Sequence, residues 1–316
     1  MATKQPTAKL EPRIPKPAMG SVTPSARKWL GGPKRSAPGA DYAAHRQSGR
    51  LWTQHLRATL LKLGFRQCYT DSCIYVRGSG ADLTLVGVYV DDLLVTGASE
   101  AKVDKFYTDM SVLDVKNLGM VSKFLGMAIS YDEERWYRLE QRQTIEELQQ
   151  RFGLAEANPV RAPVSDDQDG EDDGELLPNS GGGAPANPTV RLFQSLVGSL
   201  LWVARRTRLD IALAVHRVTR TSHAPREADW RRAKRIARYL NGIIDLKLCL
   251  EGARATPIET GVRIEGYSDA DYAADREDRT SVSGGMLYMD DMILGWFCKK
   301  QTSVAPSTKE AEFVAW

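Results

Sequence analysis

Residues 83–96 have the sequence Leu-Thr-Leu-Val-Gly-Val-Tyr-Val-Asp-Asp-Leu-Leu-Val-Thr, and this stretch is the most informative about the fold. Its apolar and β-branched residues predict two strands, and Asp91-Asp92 between them predicts a hairpin with an acidic tip. Two adjacent carboxylates repel each other, and a divalent cation such as Mg²⁺ offsets that repulsion. The pair is therefore a candidate metal site for phosphoryl transfer; the alternative is a turn that exposes two aspartates to solvent.

The length and composition exclude several classes of protein. The chain has 316 residues, enough for two or three domains, with 42% hydrophobic and 26% charged residues, which is ordinary globular usage. The longest apolar run, residues 83–90, is far shorter than the ~20 residues of a membrane helix. The N-terminus has no apolar signal core, and four cysteines are too few for a disulfide scaffold. These features predict an intracellular protein, not secreted, with no membrane partner.

The small net charge of +3 conceals strong segregation of charge along the chain. Residues 1–50 carry ten Lys/Arg and two acids, a balance of +8. Residues 164–188 carry seven acids and no base, and residues 191–238 carry twelve bases and three acids, a balance of +9. Two basic blocks around an acidic one indicate a polyanionic partner.

Periodicity predicts a mixture of helices and strands. Helices are expected at residues 51–63, 100–113 and 144–152, and three amphipathic helices are expected within 190–241. Strands are expected at residues 73–77, 262–267, 284–289 and 292–297, with a hairpin over 118–131. The sequence Ser307-Thr308-Lys309-Glu310 predicts a capping box that starts a final helix.

The sequence Tyr89-Val90-Asp91-Asp92, followed by Leu93-Leu94-Val95-Thr96-Gly97, resembles the active-site hairpin of reverse transcriptases in the version carried by copia-type LTR retrotransposons. Further stretches resemble the same family in the same order: Leu63-Gly64-Phe65, Asp71-Ser72-Cys73-Ile74-Tyr75, Leu118-Gly119, Phe124-Leu125-Gly126-Met127, Leu196-Val197-Gly198-Ser199-Leu200-Leu201, Arg208-Leu209-Asp210-Ile211-Ala212 and Ala233-Lys234-Arg235-Ile236-Ala237-Arg238-Tyr239-Leu240. The resemblance extends over residues 51–316.

This resemblance implies RNA-directed DNA synthesis, with Mg²⁺ or Mn²⁺ as cofactor and with deoxynucleoside triphosphates and an RNA or DNA template–primer as partners. It implies that Asp91 and Asp92 are catalytic, metal-binding carboxylates of the palm and that Tyr89 contacts nucleic acid. The primer-grip residues implied by the resemblance are Phe124, Leu125 and Gly126.

The family's palm uses a further metal-binding aspartate on an earlier strand, and no matching stretch precedes Leu51. The chain alone is therefore expected to be a poor polymerase or none, and remaining polyprotein segments are possible partners.

A second set of carboxylates lies near the C-terminus. Gly266-Tyr267-Ser268-Asp269-Ala270-Asp271-Tyr272-Ala273 resembles the first strand of the ribonuclease H fold in the same elements. The resemblance implies that Asp269 is a catalytic metal ligand, with Glu312 as the helix carboxylate and Glu310 as the alternative. Taken alone, the Ser-Asp-Ala-Asp stretch is typical of a polar loop.

Basic residues of the helical region are candidates for phosphate contacts. Arg231, Arg235 and Arg238 recur at helical spacing, and Arg205, Arg206 and Arg208 are near them in sequence. Such contacts would be independent of sequence and sensitive to salt. The alternative is a solvated helix face.

The mixture of helices and strands predicts an α+β protein, and the resemblance implies that it is made of a partial reverse-transcriptase palm, a helical thumb or connection, and a truncated ribonuclease H-like α/β domain. The expected divisions are a basic disordered tail (1–50), the partial palm (51–163), an acidic Gly/Pro linker (164–188), the helical region (189–255) and the truncated ribonuclease H-like domain (256–316). The alternative function is a relic that binds nucleic acid without catalysis.

Overall fold

The stretch at residues 83–96 forms the predicted antiparallel hairpin in the computed structural model. The structure describes residues 25–31, 42–113, 115–132, 136–164, 174–181, 183–250, 262–275 and 278–315. The chain divides into two compact units, a first within Glu11–Leu125 and a second that contains Gly126–Trp316. The hairpin belongs to the first unit.

The first unit is built on a six-stranded antiparallel sheet. Its elements are β1 (Ser25–Gly31), α1 (Tyr42–Lys62), β2 (Arg66–Gln67), β3 (Ile74–Arg77), β4 (Thr84–Tyr89), β5 (Asp92–Gly97), α2 (Glu100–Asp109) and β6 (Val115–Met120), and a short strand β7 (Lys123–Phe124) follows. The strand order is β2-β3-β4-β5-β1-β6, so the acidic hairpin is at the centre of the sheet.

Helices α1 and α2 pack on one face of this sheet. Val86, Leu93 and Val95 are buried on β4 and β5 and belong to the same apolar cluster as Leu60 of α1 and Phe106 of α2. Because successive side chains of a strand point to opposite faces, Leu85 and Leu94, which adjoin these residues on the two strands, lie on the other face of the sheet. The acidic tip is thus carried by strands that this cluster anchors on one face of the sheet.

The predicted disordered tail over residues 1–50 differs from the structure in two places. Residues 25–31 form β1, which pairs with both β5 and β6, and α1 begins at Tyr42 instead of near Leu51. A strand that forms by pairing with residues more than sixty positions away leaves no local periodicity to predict it. Residues 1–24 and 32–41 of the predicted tail lie outside the described residues.

The second unit contains the predicted bundle of helices. Its helices are α3 (Arg142–Arg151), α4 (Val190–Arg206), α5 (Ala212–Arg220) and α6 (Glu227–Gly242). The three apolar stripes expected within residues 190–241 meet in one core, which confirms the amphipathic pattern. No helix in the described part of the chain is long and apolar enough to cross a membrane.

Two small antiparallel sheets accompany the bundle. The first contains β8 (Met127–Asp132), β9 (Trp136–Glu140) and β10 (Leu248–Leu250), with β9 in the middle. The second contains β11 (Ile264–Asp271), β12 (Val282–Met289) and β13 (Met292–Lys300), with β12 in the middle. A helix α7 (Thr308–Val314) follows, and Ser307 caps it because its Oγ accepts a hydrogen bond from the Glu310 backbone nitrogen.

The predicted acidic linker is anchored over part of its length. Leu177 is buried, and its backbone nitrogen donates to the Pro225 carbonyl at 2.8 Å. The Glu227 nitrogen in turn donates to the Glu175 carbonyl at 3.0 Å, which ties this segment to the start of α6. Residues 165–173 and 182 of the predicted linker lie outside the described residues.

Candidate active site and nucleic-acid interface

The acidic tip has a tight, strained backbone. Tyr89 of β4 pairs with Asp92 of β5, so that only Val90 and Asp91 connect the strands. Val90 has a φ of 54°, a conformation that β-branched residues rarely adopt. The Trp52 Nε1 of α1 donates to the Val90 carbonyl at 3.2 Å and holds the turn. Backbone strain of this kind persists where surrounding structure enforces it and clusters at functional sites.

The carboxylates at the tip face away from the core. Leu93 is buried against the helices, so Asp92, its neighbour on β5, lies on the opposite face. Asp92 is half-buried and shares that face with its partner Tyr89, which is exposed. Asp91 is exposed in the turn itself. The structure therefore brings Tyr89 and Asp92 together at the end of the sheet and presents Asp91 beside them.

The strand next to Asp92 contributes no carboxylate. Strand β1 pairs with β5 in a register that places Leu30 opposite Asp92, and Ser25–Gly31 contains neither Asp nor Glu. Across the described residues, no group of three or more His, Cys, Asp or Glu side chains is placed to hold a metal ion. The tip thus offers two acids for a cation and no third from its neighbouring strand.

Asp269 of the second carboxylate set is exposed on β11. The register pairs Asp269 with Gly284 of β12, and alternation therefore puts Asp269 and Ser283 on opposite faces of the C-terminal sheet. Asp271 lies on the same face as Asp269 and is half-buried; its burial raises the pKa of this carboxyl.

Glu312 is carried by a helix that is attached to the other face of that sheet. The buried Gln301 Nε2 donates to the Ser283 Oγ at 3.0 Å and to the Ala311 carbonyl of α7 at 2.8 Å. Glu312 itself is half-buried, and Glu310 is exposed. Asp269 therefore points to one face of the C-terminal sheet, and the helix that bears Glu312 packs on the other face.

The implied primer-grip residues lie at a sharp turn. Leu125 and Gly126 have φ values of 50° and 76°, which is the conformation of a tight hairpin loop. The division between the two units falls between these two residues, and Phe124 lies in β7 just before them.

The basic stripe of α6 is less open than expected. Arg231 is exposed, but Arg235 and Arg238 are half-buried. The Arg238 Nε donates to the Asn158 carbonyl at 2.7 Å, so this guanidinium fastens a loop to the helix. Of the three residues, only Arg231 is exposed to a polyanion.

Arg208 has a structural role, which corrects its assignment as a phosphate contact. Its side chain is only 1% exposed, and its guanidinium binds both carboxylate oxygens of Asp210, at 2.9 and 2.8 Å. A third bond runs from Nη1 to the Ile243 carbonyl at 3.2 Å. A guanidinium with these partners is not available to a ligand.

A surface on α4 was not recognised from the sequence. Gly198, Leu201, Trp202, Arg205 and Arg206 line an open depression of about 430 Å³. Trp202 is partly exposed, and the Arg206 guanidinium lies 4.4 Å from the centroid of its ring. Trp202 falls outside the apolar stripe of its helix and precedes two arginines, and this combination was the signal available in the sequence. We call these five residues the α4 surface.

Comparisons with known proteins show similarity to reverse transcriptases and transposon polyproteins. The family model for reverse transcriptase (RNA-dependent DNA polymerase) matches residues 41–166. The Pol polyprotein of the tobacco transposon TNT 1-94 (Nicotiana tabacum) is 32% identical over 273 residues, which is 85% of this chain and 20% of that protein. The Pol polyprotein of transposon RE2 from Arabidopsis thaliana is 30% identical over 269 residues, 85% of this chain and 17% of that protein.

A relative of similar extent is an uncharacterized mitochondrial protein of Arabidopsis thaliana, which is 28% identical over 229 residues, 72% of this chain and 88% of that protein. Residues 41–166, which match the family model, include the antiparallel hairpin with two acids at its tip. Residues 41–166 match the reverse transcriptase family, and over 85% of its length the chain is similar to the Pol polyproteins of transposons TNT 1-94 and RE2. It spans about a fifth of the length of the first two relatives.

Proposed function

We propose that this chain is a segment of a copia-type reverse transcriptase that holds a divalent cation weakly at Asp91 and Asp92 and extends primers poorly or not at all on its own. The observation that carries the proposal is the pairing of β5 with β1, a strand without any acid, next to Asp92. Two-metal nucleotidyl transfer requires ligands that hold both ions close to the reacting phosphate. The remaining polyprotein would supply the missing carboxylate.

The donor set at the tip fits Mg²⁺ or Mn²⁺ as a loosely held ion. Mg²⁺ typically binds one or two carboxylates and keeps several waters or phosphate oxygens as its other ligands. Asp91 and Asp92 would hold the ion, which would supply charge neutralisation for phosphoryl transfer. Tyr89, exposed on the same face as Asp92, would stack on or pack against the incoming nucleotide.

Cation binding at the tip is tested by isothermal titration of the full chain with Mn²⁺. We expect weak binding that is lost in Asp91→Asn and in Asp92→Asn, because each change removes one of two charges. Asp71→Asn, an exposed acid in the same unit, is the matched control and should leave binding unchanged. Binding that survives both tip substitutions would contradict the proposal.

A second candidate function, nucleic-acid binding without catalysis, is favoured by the α4 surface. An exposed tryptophan can stack on a base, and adjacent arginines can contact phosphates. Arg205 is exposed, and Arg206 is held against the Trp202 ring, so the two guanidiniums and the ring present one continuous binding area.

Filter binding of a primer–template duplex across a series of salt concentrations tests this second function. Trp202→Ala should weaken binding by about 1–3 kcal/mol if the ring stacks on a base. Arg205→Ala should reduce the slope of log affinity against log salt by about one unit. Arg191→Ala, an exposed arginine at the other end of the same helix, is the matched control. Equal effects of Arg191→Ala and Arg205→Ala would exclude the α4 surface as the site.

We propose that the C-terminal sheet with α7 corresponds to the start of a ribonuclease H-like fold and that this segment alone does not hydrolyse RNA. Asp269 and the helix that bears Glu312 are attached to opposite faces of the sheet, which opposes shared metal binding. A hybrid-cleavage assay on the full chain should therefore show no cleavage that depends on Asp269.

A further inference from the structure

The C-terminal sheet is joined to helix α5 by a network of ion pairs. Asp275, which follows β11, has a side chain that is only 5% exposed. Its Oδ2 is bound by Arg220 of α5 and by the Lys300 Nζ of β13, the latter at 2.6 Å. Lys300 also binds Asp278 at 2.5 Å. A single carboxylate oxygen therefore links the helix to two parts of the sheet.

Two further polar groups lie at this interface. The Trp296 Nε1 of β13 donates to the Ala204 carbonyl of α4 at 2.9 Å. His216 of α5 is half-buried, and its Nε2 is buried with no hydrogen-bond partner among the described residues.

Burial lowers the pKa of His216, and the charged groups that act on it are Arg217, Arg220, Asp271 and Lys300. A buried nitrogen without a hydrogen-bond partner costs free energy, which lowers the stability of this interface relative to one whose polar groups are all paired.

The strand register shows which side chains the helix shields. Gly284 pairs with Cys298, and Val282 pairs with Lys300, so Cys298 and Lys300 lie on one face of the sheet together with Trp296. Cys298 is half-buried, and this burial raises the pKa of its thiol. Asp269 lies on the same face and is exposed.

We propose that Asp275 is an ionic latch that closes α5 onto the three-stranded C-terminal sheet, and that ionic strength controls its opening. The two cations of the latch are reached by solvent, since Arg220 is 30% exposed and Lys300 is 29% exposed. Raising salt from about 0.1 M to about 1 M shortens the screening length from ~10 Å to ~3 Å and weakens such pairs. Opening uncovers Cys298 and releases the strand that carries Asp269 from the helical bundle.

The rate at which N-ethylmaleimide alkylates Cys298, measured by mass spectrometry on the full chain, tests the latch. We expect the rate to rise about tenfold between about 0.1 M and about 1 M NaCl. Asp275→Asn should react at low salt as fast as the unmodified chain does at high salt, because it leaves Arg220 and Lys300 without a buried counter-charge. Asp278→Asn is the matched control and should have a much smaller effect, since of the two latch cations Asp278 binds only Lys300, and it does so from an exposed position.

The other three cysteines are internal controls for the alkylation rate of Cys298. Cys68, Cys73 and Cys249 lie outside this interface, and their alkylation rates should stay within about twofold. Salt dependence of the unmodified chain tests the latch even if Asp275→Asn fails to fold. An alkylation rate of Cys298 that does not depend on salt concentration, or a rate increase shared by all four cysteines, would overturn the proposal.

Discussion

Arg208 and Asp210 form an ion pair with a buried guanidinium, and we expect that removing Asp210 lowers the free energy of unfolding more than removing Arg208 does. Asp210→Ala leaves a guanidinium that is 1% exposed without its carboxylate, so that only neutral partners such as the Ile243 carbonyl and the Tyr239 hydroxyl remain among its partners in the described residues. An unpaired buried charge of this kind costs about 3–5 kcal/mol. Arg208→Met removes that charge and fills similar volume, and the Asp210 side chain, 24% exposed, can bind water instead. Its cost should be about 1–3 kcal/mol, from lost hydrogen bonds. Asp210→Ala should therefore destabilise the second unit more than Arg208→Met.

Urea denaturation of the full chain, followed by far-ultraviolet circular dichroism, measures both free energies of unfolding. Arg205→Met, an exposed arginine one turn earlier, is the matched control and should stay within about 0.5 kcal/mol of the unmodified chain. A larger loss for Arg208→Met than for Asp210→Ala would refute the reasoning. So would a folded Arg208→Met variant that loses as much nucleic-acid affinity as Arg205→Met.

Three further predictions concern the backbone and pH. Gly78→Ala should destabilise the first unit by about 2 kcal/mol or more, because φ is 75° and the new Cβ would lie 2.3 Å from the Asp82 carbonyl oxygen. Gly80→Ala is the control: it has open space around it and should cost only about 1 kcal/mol in the same denaturation assay. Val90→Asn should stabilise the unit by about 1 kcal/mol, since asparagine tolerates a φ of 54°, and an unchanged or lower midpoint would count against backbone strain at the tip. Because the pKa of His216 is lowered in the folded chain, the unfolded chain binds a proton at this imidazole more readily. Thermal stability should therefore fall as pH drops below about 6.5, and His216→Gln should make stability less dependent on pH in that range.

Local patterns in the sequence predicted the elements that depend on nearby residues. The hairpin of residues 83–96 followed from unbroken β-branched and apolar residues on both sides of Asp91-Asp92. The helical bundle followed from apolar stripes at 3.6-residue spacing, and these stripes form one core. In both cases the information lies within about fifteen residues of chain.

Features that depend on distant pairing were not predictable in the same way. Strand β1 is held by β5 and β6, and its own sequence, rich in basic residues, has no strand periodicity. The burial of Arg208 depends on Ile243, thirty-five positions away, so its charge alone indicated a surface role. The attachment of α7 to the face opposite Asp269 depends on Gln301, whose hydrogen bonds to Ser283 and Ala311 no local pattern predicted.

The central claim, that the carboxylate tip belongs to an incomplete polymerase site, is tested most directly by primer extension. The full chain would be incubated with a primer–template, deoxynucleoside triphosphates and Mg²⁺ or Mn²⁺, and compared with Asp91→Asn. We expect incorporation by the unmodified chain to stay at or close to the level of the substituted chain. Sustained, template-directed extension that vanishes in Asp91→Asn would contradict the claim and show that two acids and an acid-free neighbouring strand suffice.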